Sequence, residues 1–101
     1  MLVDLDLSIL TATSAVGRVH GPLELAVLPR IGERVAFPLA AVDAGGFTGQ
    51  LTVEHVVHTP GADAKPMVLL SDVVASDKAE GNRLGRSFEK AYSLYFDPYE
   101  P

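Results

Sequence analysis

The chain contains no cysteine. That absence removes a disulfide framework, an iron–sulfur centre, a thiol nucleophile and any Cys-based zinc site. Positive charge is scarce as well. Eight Lys and Arg stand against thirteen Asp and Glu, a net charge of −5, which opposes a grip on nucleic acid or an anionic membrane. Nowhere do eighteen apolar residues run together, so no helix of this sequence is expected to span a bilayer. The opening Met1-Leu2-Val3-Asp4-Leu5-Asp6 sets carboxylates where a secretory leader needs a basic region and an apolar run. Internal repeats and low-complexity tracts are lacking too. These absences predict a cytoplasmic protein with no membrane and no nucleic acid among its partners, and no cofactor.

What is present is apolar and short-ranged. Leu, Ile, Val and Phe supply 31 of 101 residues, enough for one packed core, so residues 1–101 are read as a single domain. Residues 2–10 alternate, with Val3, Leu5, Leu7 and Ile9 on one face and Asp4, Asp6 and Ser8 on the other. Period two of this length marks a half-buried strand. Thr11 to Gly21 is small and polar and reads as a connection. Leu23, Leu25 and Val27 suggest a second strand that Pro22 introduces. Pro29 and Gly32 suit a tight reversal, after which Val35, Phe37 and Leu39 restart the alternation. Pro38 lacks a ladder donor, which places this third strand at an edge. Residues 40–49, with Asp43, Gly45, Gly46 and Gly49, form a long loop. Leu51 to His58 makes a fourth strand, whose Val56-Val57 pair calls for burial on both faces or a bulge. Thr59 to Pro66 is a second loop, and Met67 to about Ala75 a fifth strand broken at Ser71-Asp72.

The last stretch carries two patterns. Leu84, Phe88, Ala91 and Tyr95 share one side of a helix that ends before Pro98. Tyr92, Leu94 and Phe96 also alternate as a strand would. The helix is preferred, although Gly85 weakens it. Connections too short for crossover helices point to an antiparallel sheet. The expected fold is therefore mainly β: a small five-stranded antiparallel barrel with a short C-terminal helix.

The stretch Leu28-Pro29-Arg30-Ile31-Gly32-Glu33-Arg34-Val35, followed by Leu51 to His58, resembles small bacterial SH3-like β-barrel proteins, in which a Pro-x-x-Gly-acid-x-Val turn opens a strand. The resemblance implies a fold and leaves function open. Nucleic-acid-binding members carry basic turns, whereas this chain has Glu33 in the turn and an acidic total.

Few constellations carry chemistry. Glu54, His55 and His58 are the candidate polar site for a metal or for acid–base catalysis. On a regular strand positions 55 and 58 point to opposite faces, so only a bulge at 54–56 brings them together. Serines lie in no Gly-x-Ser-x-Gly elbow, and Gly45-Gly46-Phe47-Thr48-Gly49 lacks the lysine of a phosphate loop. Asp4 and Asp6 share a strand face and read first as a solvated surface that discourages aggregation. Arg83, Arg86 and Lys90 form a basic helix face beside Glu80 and Glu89. Phe88, Tyr92, Tyr95, Phe96 and Tyr99 place five of seven aromatic residues in twelve positions, more than one small core holds, so they are the candidate partner-binding residues. The expectation is a non-enzymatic protein acting through protein–protein contacts, of inhibitor, immunity or adaptor type, by a foreign partner or self-association. The alternatives are a histidine/carboxylate enzyme acting on a small molecule or using a metal, and a nucleic-acid-binding barrel.

Overall fold

The structure, a computed structural model, describes residues 1–38, 47, 49–61 and 63–99. Strand β1 (Leu2–Leu10) obeys its alternation: Val3, Leu5, Leu7 and Ile9 are buried, while Asp4, Asp6 and Ser8 stay half-buried on the other face. The chain then reverses within Thr11–Ser14. The Thr11 amide donates to the Ser14 carbonyl at 2.7 Å, and the Thr11 hydroxyl accepts from the Ser14 amide at 3.0 Å. Strand β2 (Ala15–Glu24) begins at once, so the expected connection to Gly21 is corrected to four residues. Gly17 and Gly21 do not turn the chain; they lie opposite Ile9 and Leu5 in the hairpin register.

Pro22 also sits inside β2, opposite Asp4, and not at a strand start. Its place follows from strand alternation. Val16 accepts from the Tyr99 amide, so Val16, Arg18, His20 and Pro22 direct their backbone groups toward the β7 side. Strand β7 pairs only with Gly17 to His20, and the missing N–H of Pro22 falls past the end of that ladder.

The Pro29–Gly32 reversal is present. The Glu33 amide donates to the Arg30 carbonyl at 3.0 Å, and Gly32 takes φ 92° at the third position, where a type II turn favours glycine. It opens β3 (Arg34–Ala36), which pairs with β4 (Gln50–Val57). Leu39 and most of the expected 40–49 loop lie outside the described residues. A register shift between Val53 and His55 marks a bulge at Glu54. The expected fifth strand is two strands, β5 (Met67–Leu70) and β6 (Val73–Val74), separated at Ser71-Asp72.

The sheet order is β3-β4-β5-β1-β2-β7, with β6 beside β1. The five-stranded antiparallel barrel is therefore corrected to a mixed, open sheet of seven strands. β5 and β6 both run parallel to β1. Local spacing does not reveal this, because the two partners are joined by β2, β3 and β4 rather than by one crossover.

Helix α1 (Lys78–Tyr92) covers one face of the sheet. Asp77 caps it, its carboxylate accepting from the Glu80 amide at 2.8 Å, and Ser93 closes it in the left-handed conformation. β7 (Tyr95–Pro98) follows directly, so the helix expected to run to just before Pro98 is corrected to one that ends at Tyr92, with Tyr95 and Phe96 in a strand. The helix approaches the sheet along Gly81, Leu84, Gly85 and Phe88, all buried. An added Cβ at Gly81 would lie 2.9 Å from Val16, and the Phe96 ring packs against both Gly85 and Gly17. Gly85 is thus a packing residue and not a weak first turn. Phe37 meets Phe88 edge-on at 5.1 Å and Tyr92 at 5.2 Å, which closes the core at the far end.

Candidate functional site

The face of the sheet opposite α1 has no covering element among the described residues, and strand register assembles its side chains into rows. One row runs His55, Leu69, Asp6, His20, Tyr95 across β4, β5, β1, β2 and β7. A second runs Val57, Met67, Asp4, Pro22. Ser8, Arg18 and Asp97 form a third.

An ion pair and a histidine–carboxylate hydrogen bond hold these rows. The Arg18 Nε donates to both Asp6 oxygens at 3.0 and 2.9 Å, and a second guanidinium nitrogen lies 2.7 Å from Asp6. Hydrogen bonding to Asp6 raises the Arg18 pKa above its ordinary value, against the opposing effect of desolvation. His20 Nε2 lies 2.6 Å from an Asp97 oxygen, and the His20 ring packs on Tyr95 at 5.7 Å between centroids. The Asp4 carboxylate has no partner among the described residues. Between the pairs lies a shallow hollow of about 330 Å³, bounded by Asp4, Arg18, His20, Met67 and Tyr95.

Apolar side chains stand exposed on the same face: Leu2 at 43%, Met67 at 39%, Val57 at 46% and Tyr95 at 59%. The face thus sets exposed apolar side chains beside the Arg18–Asp6 ion pair and the His20–Asp97 hydrogen bond. Chemically, the His20–Asp97 pair can hold and pass a proton. No described hydroxyl is hydrogen-bonded to His20, so the pair lacks the nucleophile of a triad.

The five aromatic candidates separate. Phe88 and Phe96 are core, and Tyr92 is half-buried against Phe37 and Phe88. Burial pushes the Tyr92 hydroxyl pKa up, and its oxygen has no hydrogen-bond partner among the described residues. Of the five, only Tyr95 and Tyr99 are exposed. Glu54, His55 and His58 are all exposed. The bulge precedes His55, and His55, Val56 and Val57 continue in regular register. His58 lies one residue past the end of β4, outside the paired register. No group of three or more His, Cys, Asp or Glu able to hold a metal occurs among the described residues.

Arg18, His20 and Asp97 were not singled out by the sequence pattern. Arg18 and His20 fall in a stretch that reads as a loop, and Asp97 meets His20 only across 77 positions. The signal that finds them is the alternation Arg18, His20, Pro22 against Gly17, Val19, Gly21, once small glycines are allowed as core positions.

Neither protein-family models, nor curated proteins, nor solved structures give a match to this chain.

Proposed function

We propose that the protein is a non-enzymatic binding module that docks a protein partner on the uncovered sheet face. The observation that carries the reading is the exposure of Met67, Val57, Leu2 and Tyr95 on one face, beside the Arg18–Asp6 ion pair and the His20–Asp97 hydrogen bond. Exposed apolar side chains supply contact energy, and Tyr is among the residues most enriched at energetic centres of interfaces. Asp4, Asp6 and Asp97 give this face an acidic character, which favours a partner surface carrying Lys or Arg and disfavours phosphate backbones. An inhibitor, immunity or adaptor role fits this chemistry.

The test is affinity capture with wild type, with the double variant Met67→Asp/Tyr95→Asp, and with Lys90→Ala on the opposite side. The expected result is a stoichiometric protein retained by wild type and Lys90→Ala and lost by the double variant. Equal retention by all three contradicts the assignment.

A further inference from the structure

The two edges of the sheet are built differently. On β7, the Tyr99 amide bonds Val16, so Tyr95, Asp97 and Tyr99 face β2 while Phe96 and Pro98 face outward. Neither outward position offers a donor. The Phe96 amide is taken by the Glu89 carboxylate at 3.1 Å, and Pro98 has no N–H. That edge is closed to a further strand.

On β3 the Val53 amide donates to the Glu33 carbonyl at 2.8 Å and the Phe37 amide to the Gly49 carbonyl at 2.6 Å. Residues 33, 35 and 37 therefore face β4, and Arg34 and Ala36 turn their N–H and C=O groups outward. No described residue bonds those outward groups. Beside them lies an open hollow of about 620 Å³ bounded by Leu25, Val27, Pro29 and Val35. Val27 and Ile31 stand 71% and 66% exposed nearby. Arg34 is exposed and makes no ion pair among the described residues, on a chain whose net charge is −5.

We propose that the β3 edge receives an extended segment of a partner protein as an eighth strand, in which a carboxylate lies opposite Arg34 and alternate apolar side chains enter the Leu25–Val27–Pro29 hollow. The unpaired backbone groups select an extended chain, because only a strand satisfies an N–H and a C=O at every second residue. The lone Arg34 guanidinium selects acidic over basic sequences. Pro38 ends the pairing window, since it offers no donor at the next outward position. This edge is separate from the sheet face proposed above, and each is tested without the other.

The probe is a capped seven-residue peptide alternating valine with glutamate, titrated into the labelled full chain and followed by amide NMR. A counterpart alternating valine with lysine serves as the charge control. The expected result is that the Arg34 and Ala36 amides shift and exchange about tenfold more slowly, and that the lysine peptide binds about tenfold more weakly. Ala36→Pro removes one outward donor without touching a β4 bond and is expected to weaken binding about fivefold. If that variant unfolds, Arg34→Glu replaces it and is expected to reverse the preference between the two peptides. Three results would each overturn the proposal: unmoved Arg34 and Ala36 amides at millimolar peptide, equal binding of both peptides, or a dimer of the protein alone that already protects these amides.

Discussion

Phe96 shows how single residues hold the layers together. Its ring lies between Gly17 on β2 and Gly85 on α1, the Arg86 guanidinium stacks on it at 5.2 Å, and its amide is held by Glu89. A Cβ at Gly85 would lie 2.5 Å from the ring carbons, and one at Gly17 would also meet the Asp97 carbonyl at 2.8 Å. Alanine raises helix propensity at Gly85 by about 1 kcal/mol, yet overpacking costs about 1–3 kcal/mol. Gly85→Ala is therefore expected to lower stability in urea unfolding. A variant more stable than wild type would show that the slot relaxes. Glu89 gives a pH signature. Hydrogen bonding from Arg86, and then from the Phe96 amide, holds its carboxyl below the usual range. A depressed folded pKa adds stability above the unfolded value and loses it as pH falls through the folded one. Wild type is thus expected to lose more stability than Glu89→Gln between about pH 6 and about pH 3, measured by denaturant titration at each pH. Parallel curves would contradict this.

At the scale of elements, the structure explains what the residues disclose and what they conceal. β1 was legible because Asp4, Asp6 and Ser8 alternate with four apolar residues. β2 was concealed because Gly17 and Gly21, which read as loop, are small to admit Phe96 and Tyr95. Helix and strand competed over 84–96 because both exist, divided at Ser93. The parallel pairing of β1 with β5 and β6 has no local signal. Of the residues on the uncovered face, Tyr95 stood out among the terminal aromatics and Asp4 and Asp6 read as a solvated surface, whereas the His20–Asp97 contact exists only once β7 lies against β2. Asp77→Ala removes the helix cap and is expected to cost about 1 kcal/mol, read as a lower denaturation midpoint; an unchanged midpoint would deny the cap its role. The double variant Glu89→Ala/Pro98→Ala restores two outward donors to the β7 edge. It is expected to self-associate in light scattering where wild type does not, and a variant indistinguishable from wild type would show that other features guard this edge.

At the scale of the whole molecule, helix and sheet divide the labour. The helix face consumes the large apolar residues Phe37, Phe88, Leu84 and Phe96 as core. The opposite face keeps Leu2, Val57, Met67 and Tyr95 in water beside the Asp6–Arg18 and His20–Asp97 pairs. One edge is closed, and the other presents unpaired backbone at Arg34 and Ala36. The proposed docking role rests on this arrangement. The most direct measurement is affinity capture with the Met67→Asp/Tyr95→Asp variant beside wild type, scored by intact mass for stoichiometry. One stoichiometric protein with a basic contact surface is expected, held by wild type and released by the variant. Retention of that protein by the variant, or its absence from wild type, would contradict it.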